Sequence, residues 1–362
     1  MNKFSGQINN PFLNLTACSP GYSAKTAHQK MIKLASNENP LGPGEKVLAA
    51  INDARVEVSR YPDPSARELK ALLSKKLNVD AEKIILDHGS SELLSVIARV
   101  FLAPGGEAII PAYGFVVYHV ATAFSGATPV VTPVTEDWRV DLSAILKAIT
   151  PKTQVIFIAN PGNPTGAFLT KKDIADFLAK VPKQIIVVID EAYYEYACLH
   201  DTYDTLVSCT QQYPNLIVTR TFSKIYGLAG LRVGYAVSDV DIVEVLNRVR
   251  LPFNATHLGL VAAKASLEDA AHIKKTTQLF LQGLAQLKQG ADVLGLSYLP
   301  TAGNFITIDL GRPAMPVYER LLDAGIFVRH LVRYNLPNHL RVTVGLLEEN
   351  QRFLEALEKI LH

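Results

Sequence analysis

The chain has 362 residues, 48% of them hydrophobic and 19% charged, a composition that supports a large buried core and excludes a disordered protein. Its net charge of +2 is close to balanced and its basic residues are scattered, so the sequence predicts no nucleic-acid partner. The three cysteines are widely spaced without a CxxC pair, and no histidine pair has metal-ligand spacing, so neither a metal site nor a disulfide framework is indicated.

The N-terminal segment has no regular hydrophobic pattern. It begins MNKFSGQINNPFLNLT, which lacks the apolar region of a signal peptide, and no later apolar run approaches the roughly 20 residues of a membrane helix. We therefore expect a cytoplasmic protein without a membrane partner. Residues 1–40 are rich in turn-forming residues, and we expect an arm that crosses the larger domain or a neighbouring subunit.

Alternating strands and helices are predicted over residues 41–245. Short β-branched apolar runs near Ile109 and at 154–160, 184–190 and 216–221 are typical of strands buried on both faces, as in a mainly parallel sheet. Between them, apolar residues recur at helical spacing, as in KKDIADFLAKV. This alternation predicts a large, doubly wound α/β domain.

The pattern changes over residues 246–362. A long helical stretch is followed by the apolar runs NFITIDL, GIFVRHL and LRVTVGL and then by an amphipathic helix. We predict a smaller C-terminal α/β domain in this part of the chain.

Polar residues follow three of the predicted strands. VIFIAN leads into the NPTG segment at 163–166, IIVVID ends at Asp190 with Tyr193 close behind, and LIVTRT leads into Ser223 and Lys224. Ligands of open α/β sheets bind beyond the carboxyl ends of the strands, so we expect these side chains at one site. Taken singly, each has an ordinary structural explanation as a turn, a helix cap or a surface charge. Their joint order and spacing match one known set.

That set resembles the fold-type I aminotransferases, which depend on pyridoxal phosphate. The resemblance covers nearly the whole chain, and IKLASNENPLGP, RYPD, GSSELL, NPTG, DEAYYEY, RTFSKIYGLAGLRVGY, RLPFN and LPNHLRVTVG are similar to the histidinol-phosphate aminotransferase family in particular. It implies a large domain with a mainly parallel, seven-stranded-type sheet sandwiched by helices and a smaller C-terminal α/β domain. It also implies pyridoxal 5′-phosphate as the cofactor and a homodimer as the assembly.

The resemblance implies catalytic roles for Lys224, Asp190 and Tyr193. Lys224 would form the Schiff base with the cofactor's aldehyde and, once free of it, would carry a proton. Asp190 would pair with the pyridine nitrogen and keep it protonated. Asn163 and Tyr193 would bond the phenolic oxygen of the ring, and Tyr113 would stack on the ring.

Several segments are implied to bind the cofactor phosphate. Ser90 and Ser91 open a predicted helix, whose free N–H groups and dipole favour an anion. The resemblance also implies Thr221, Ser223 and Arg232 of the same subunit as phosphate ligands. It further implies that Tyr61 reaches the phosphate from the partner subunit.

Substrate contacts are implied for Arg341, Arg329, Asn37 and Tyr22. Arg341 matches the arginine that binds the substrate α-carboxylate, a task suited to a planar fork of donors, and Arg329 would share the binding of anionic groups. The family's N-terminal Pro-Tyr pair is missing, so either Tyr22 substitutes or that contact is lost. Two further departures from the family's pattern are His330 and Asn335.

The resemblance implies transfer of an amino group from histidinol phosphate to 2-oxoglutarate, which gives imidazole acetol phosphate and glutamate in histidine biosynthesis. Two enzymatic alternatives stay open, an aromatic amino acid aminotransferase and a lyase similar to phosphothreonine decarboxylase. A third alternative is a non-enzyme that senses pyridoxal phosphate and regulates transcription. The sequence has no helix-turn-helix pattern to support it.

Overall fold

The computed structural model describes residues 31–362. Strands and helices are numbered in chain order within that range. The strands are β1 (Ile32–Lys33), β2 (Ile84–Asp87), β3 (Glu107–Pro111), β4 (Thr128–Thr132), β5 (Thr153–Ala159), β6 (Ile186–Asp190), β7 (Leu216–Thr221), β8 (Gly234–Val237), β9 (Ser297–Tyr298), β10 (Phe305–Asp309), β11 (Ile326–Phe327), β12 (Arg329–Leu331) and β13 (Leu336–Thr343). The helices are α1 (Glu45–Ala54), α2 (Arg67–Leu77), α3 (Ser90–Phe101), α4 (Val116–Phe124), α5 (Leu142–Ala148), α6 (Lys171–Leu178), α7 (Tyr194–Ala197), α8 (Val240–Val249), α9 (His257–Leu267), α10 (Ala270–Val293), α11 (Ala314–Asp323) and α12 (Leu347–Leu361).

The large sheet has seven strands in the order β2-β8-β7-β6-β5-β3-β4. Neighbouring strands are parallel except at β8, which is antiparallel to both β2 and β7. Alternate residues of β5 belong to two hydrophobic clusters, Ile156 and Ile158 to one and Val155 and Phe157 to the other. Because hydrophobic clusters cover both faces of the sheet, the strand sequences are mostly apolar. The prediction of a mainly parallel sheet sandwiched by helices is confirmed.

A second, antiparallel sheet has the order β12-β13-β10-β9. Helices α10 and α11 pack against it, and α12 packs against both of these helices. The predicted smaller C-terminal α/β domain is therefore confirmed, whereas the limits of the three segments, 1–40, 41–245 and 246–362, stay a prediction. Within residues 31–362, no helix is both long and apolar enough to cross a membrane.

Two features of the fold position the candidate site. The parallel pairing aligns Ala159 with Asp190 and Asp190 with Thr219, so the carboxyl ends of β5, β6 and β7 lie side by side. The segment 34–39 then connects the two sheets. Leu34 O accepts a hydrogen bond from Thr343 N at 2.8 Å, and Asn39 Nδ2 donates to Ile225 O at 2.8 Å.

Candidate active site

Lys224 lies just beyond the end of β7, and its amine bonds the segment 34–39. Nζ donates to Ser36 O at 3.1 Å and lies 5.7 Å from the centroid of the Tyr193 ring. Burial, together with the nearby Arg341 guanidinium, lowers the pKa of Lys224 to about 8, while the Glu38 carboxylate opposes the shift. An amine with this pKa is readily deprotonated near neutral pH, and the neutral amine is the nucleophilic form.

Asp190 ends β6 and is 5% exposed. Its Oδ2 accepts from the Tyr118 hydroxyl at 3.0 Å, and its Oδ1 accepts from the Thr219 hydroxyl at 3.2 Å. Burial raises the pKa of Asp190 to about 6, while these two hydrogen bonds and the Lys224 charge oppose the rise. The carboxyl group therefore remains mostly ionised at neutral pH, opposite a basic amine.

Sequence reasoning missed Tyr118 and Thr219, the two residues that bond Asp190. Thr219 is the register partner of Asp190 in the β6–β7 pairing, so an alignment of the two strands would have indicated it. Tyr118 is 72 positions from Asp190, and nothing in its local sequence distinguishes it from an ordinary core tyrosine.

A buried ion pair lies behind the site. Arg220 Nη2 is 2.7 Å from Glu191 Oε2, both side chains are almost fully buried, and the guanidinium carbon is 3.4 Å from the centroid of the Tyr194 ring. Because side chains alternate along a strand, this pair lies on the opposite side of the strand ends from Asp190 and Thr219. It joins the ends of β6 and β7, and sequence reasoning missed it as well.

Four of the predicted residues form one hydrogen-bonded chain. The Tyr193 hydroxyl accepts from Asn37 Nδ2 at 2.8 Å and from Asn163 Nδ2 at 3.0 Å, and Asn163 Oδ1 accepts from Arg341 Nη1 at 2.6 Å. Burial raises the pKa of Tyr193 to about 12, with Arg341 and Asn37 opposing. Since both acceptor positions of its hydroxyl are filled, Tyr193 retains an O–H that can donate to a ligand.

Arg341 is a buried cation whose donors are only partly used. Nη2 donates to Ala35 O at 2.5 Å, but Nε is buried without a hydrogen-bond partner. Arg329 lies directly opposite Arg341 in the pairing of β12 with β13. In the described part of the chain neither guanidinium forms a salt bridge with a carboxylate, so the two predicted substrate arginines together fit an anionic ligand.

The N-terminus of α3 faces a guanidinium. Gly89 precedes Ser90 and has a φ of +83°, and a Cβ atom at Gly89 would lie 2.5 Å from Arg232 Nη2. On the other side, a Cβ at Gly234 would lie 2.3 Å from Ser90 N. The two glycines thus allow Arg232 and β8 to approach the free N–H groups at Ser90 and Ser91, which favour an anion.

Two hydroxyls complete this group of donors. Arg232 Nη1 donates to Ser223 Oγ at 3.4 Å and to Ala229 O at 3.0 Å. The Thr221 hydroxyl lies 2.9 Å from Ser223 Oγ. The structure therefore brings together the five predicted phosphate ligands of this chain's own site, which are Ser90, Ser91, Thr221, Ser223 and Arg232.

Two of the predicted aromatic residues, Tyr113 and Tyr61, pack against aromatic rings outside this group of donors. Tyr113 follows β3 with a φ of +62°, and its ring centroid lies 5.7 Å from that of Trp138. Tyr61 is 81% exposed and stacks on Phe253 at 4.4 Å. Tyr22 lies outside the described residues.

The two residues that depart from the family's pattern lie where β12 leads into β13. His330 is in β12, and Asn335 directly precedes β13. Asn335 has a φ of +58°, a left-handed conformation that asparagine tolerates better than most residues. The His330 ring packs edge-on against Tyr318 at a centroid distance of 5.0 Å. Within residues 31–362, no group of three or more His, Cys, Asp or Glu side chains is arranged to hold a metal ion.

Comparisons with known proteins agree with this geometry. The family described as aminotransferase class I and II matches residues 29–357. A histidinol-phosphate aminotransferase 2 from Pseudomonas fluorescens strain Pf0-1 is 50% identical over 331 residues, which are 91% of this chain and 89% of that protein. One from Methylococcus capsulatus is 48% identical over 340 residues, 92% of this chain and 91% of that protein.

A solved structure shows the same similarity in three dimensions. The crystal structure of histidinol-phosphate aminotransferase from Sinorhizobium meliloti in complex with pyridoxal-5′-phosphate superposes with a TM-score of 0.91 and 28% identity. The superposition covers 98% of this chain and 97% of that one, so it includes both sheets. The chain therefore belongs to the class I and II aminotransferases, within the histidinol-phosphate aminotransferase family, and is a transaminase that depends on pyridoxal 5′-phosphate.

Proposed function

We propose that this protein transfers the amino group of histidinol phosphate to 2-oxoglutarate in the cytoplasm, as a step of histidine biosynthesis. The observation that carries the proposal is the pair of facing residues Arg341 and Arg329, of which Arg341 lies close enough to the Lys224 amine to lower its pKa. Histidinol phosphate carries a phosphate, whereas glutamate carries two carboxylates, so a site that serves both needs adaptable cationic donors. The names of relatives 48–50% identical to this chain support the same substrate.

The described residues fit pyridoxal phosphate at every polar group of the cofactor. The Arg232 guanidinium lies so close to Gly89, the residue before α3, that a Cβ there would fill the space between them. This cradle, formed by Arg232 and the start of α3, suits a phosphate dianion. Asp190 suits a protonated pyridine nitrogen, and Asn163 and Tyr193 suit a phenolic oxygen. We propose that the phosphate ligands are Ser90, Ser91, Thr221, Ser223 and Arg232, with Tyr113 stacked on the ring.

When bound, the cofactor supplies an aldehyde and an electron-accepting ring. The chain's own residues then bind and orient the substrate, and they move protons. Lys224 Nζ, in its neutral form, accepts the proton from the substrate carbon that bears the amine. Asp190 maintains negative charge at the far side of the site, and the Tyr193 hydroxyl donates a hydrogen bond. Arg341, already fixed by Asn163, binds the anionic group of the substrate without first having to reorganise.

A comparison of amine donors tests the substrate. Purified enzyme is given 2-oxoglutarate with histidinol phosphate, phenylalanine, tyrosine or phosphothreonine, and glutamate formation is measured. We expect the highest kcat/KM with histidinol phosphate. A higher value with phenylalanine or tyrosine would identify an aromatic aminotransferase instead, and release of carbon dioxide from phosphothreonine without glutamate would identify a lyase.

We also propose a homodimer in which Tyr61 reaches the cofactor phosphate bound by the other subunit. Tyr61 and Phe253 stack on each other while both are exposed, and Val56, Val58 and Leu251 are also exposed. Exposed apolar residues clustered in this way are typical of a protein interface. A tyrosine presented on such a surface is well placed to enter a neighbouring subunit's site.

Mixing of variant subunits tests this assignment. Tyr61→Ala and Lys224→Ala are each expected to be impaired, but a hybrid dimer of the two has one site with a native Lys224 and a native Tyr61. Random reassortment of equal amounts should therefore restore roughly a quarter of wild-type activity. Lys224→Ala mixed with Asp190→Asn is the control, because no intact site can form. Equal recovery in both mixtures, or none in either, would refute a contribution of Tyr61 across the interface.

Gly89→Ala is expected to weaken cofactor binding at least about tenfold, because the new methyl group meets Arg232 and displaces a phosphate ligand. Gly105→Ala is the matched control. Gly105 has a φ of +84°, close to the +83° of Gly89, but a Cβ at Gly105 meets no atom within 4 Å. Both variants should lose stability through backbone strain, and only Gly89→Ala should lose cofactor affinity in an equilibrium titration. Equal affinities would exclude this cradle as the phosphate site.

A further inference from the structure

Asp190 is bonded by hydroxyl groups from two different elements. Tyr118, on α4, donates to Oδ2, and Thr219, on β7, donates to Oδ1. Each carboxylate oxygen thus has its own hydroxyl donor and keeps a further lone pair for a ligand. The two donors also fix the plane of the carboxylate, since they bond different oxygens.

We propose that Tyr118, assisted by Thr219, is a positioning residue that keeps the Asp190 carboxylate ionised and directed at the ring nitrogen of the cofactor. The proposal rests on the proposed function, in which Asp190 pairs with that nitrogen. Tyr118 itself touches neither substrate nor cofactor in this assignment, and it acts through Asp190 alone.

The surroundings of Tyr118 leave its hydroxyl little freedom. The residue is fully buried, its ring stacks on Phe157 at 5.1 Å with an interplanar angle of 6°, and Phe115 packs edge-on at 5.9 Å. Burial and the adjacent Asp190 charge raise the pKa of Tyr118 well above its usual value. The hydroxyl therefore stays protonated throughout the working pH range and is available only as a donor to Asp190.

The charges around Asp190 explain why such donors matter. The titratable groups facing it are Tyr118 from α4, Tyr193 from the loop after β6 and Lys224 from the loop after β7. Lys224 is the cation among them, and its charge changes when its amine reacts. The hydroxyls of Tyr118 and Thr219 are unchanged by that reaction, so they oppose protonation of the buried carboxyl in every state of the enzyme.

The test uses cofactor labelled with ¹⁵N at the ring nitrogen and bound to the full-length protein. Tyr118→Phe retains the stacked ring and removes only the hydroxyl, and Thr219→Val removes the other donor at nearly constant volume. Tyr213→Phe is the control, because Tyr213 precedes the amino end of β7 and its hydroxyl donates to Ala175 O of α6 rather than to Asp190. The ¹⁵N chemical shift reports whether the nitrogen carries the proton, a readout that a loss of stability alone would not move.

We expect the ¹⁵N signal of wild type and of Tyr213→Phe at the position of a protonated pyridine. A more basic Asp190 draws the shared proton away from nitrogen, so Tyr118→Phe should move the signal towards neutral pyridine, and Thr219→Val should move it in the same direction. Wild-type cofactor affinity should fall as the pH drops through about 6, where Asp190 becomes protonated. In Tyr118→Phe this fall should begin about one pH unit higher.

Unchanged ¹⁵N shifts and affinity profiles in Tyr118→Phe with bound cofactor would overturn the proposal, as would equal changes in Tyr213→Phe. If Tyr118→Phe does not fold, Thr219→Val decides by the same two readouts. A wild-type protein whose bound cofactor shows a neutral ring nitrogen would contradict the Asp190 assignment in the proposed function. If the wild-type ring nitrogen is protonated and the variants show the same ¹⁵N shift, only the role of Tyr118 is contradicted.

Discussion

Lys224→Ala is expected to abolish covalent capture of the cofactor and to lower kcat by at least about 10⁴-fold. The substitution removes both the nucleophile and the proton carrier, and general acid–base catalysis alone contributes roughly 10²–10⁴-fold. Capture is measured by borohydride reduction followed by mass spectrometry of the peptides, and turnover is measured as glutamate formation.

Lys171→Ala is the control for this prediction. Lys171 is a partly exposed lysine that forms a surface salt bridge with Asp204 at 2.7 Å, so its loss should leave capture and turnover unchanged. Cofactor that is still trapped by borohydride on the Lys224→Ala protein would refute Lys224 as the anchor.

The low pKa of Lys224 adds a pH dependence to the same prediction. The amine is protonated below about pH 8 and neutral above it, and only the neutral form attacks an aldehyde. The rate of cofactor capture by the apoenzyme should therefore rise with pH and level off above about 8. A rate that keeps rising towards the ordinary lysine pKa would show that burial does not shift this amine.

Arg341→Ala is expected to lower kcat/KM about 10²–10³-fold, mainly through KM. The change removes a buried cation that we assign to the anionic group of the substrate, and loss of one partner from a buried, hydrogen-bonded charge pair costs about 3–5 kcal/mol. It also releases Asn163 Oδ1, whose amide bonds Tyr193. Steady-state kinetics with histidinol phosphate and with 2-oxoglutarate measure the effect on each substrate.

Arg341→Lys separates the charge of this residue from its geometry. The Arg341 guanidinium lowers the pKa of Lys224, so Arg341→Ala should move the pH profile of cofactor capture upwards. Arg341→Lys keeps a positive charge but loses the planar fork, so it should leave that profile in place and still raise KM. If KM is unchanged in both variants, Arg341 does not bind substrate and acts on Lys224 only.

The candidate site shows which features local sequence patterns can identify and which they cannot. The apolar runs that end at Asp190 and precede Lys224 were recognisable because fully buried strands require them, and the polar residues after them marked the carboxyl edge of the sheet. Asn37, Asn163 and Tyr193 were each identified as candidates. The sequence did not show that the two amides donate to the same hydroxyl, because they come from segments far apart in the chain.

The sequence by itself determined the alternation of strands and helices, the mainly parallel sheet and most of the candidate residues at its carboxyl edge, because these depend on local periodicity and on motifs. Tertiary structure alone decided the antiparallel direction of β8, the contact of Arg232 with the glycine before α3 and the bond from Tyr118 to Asp190. Those features depend on how distant elements pack. Burial then set the pKa values of Lys224 and Asp190, since the free energy of a charge depends on everything that surrounds it.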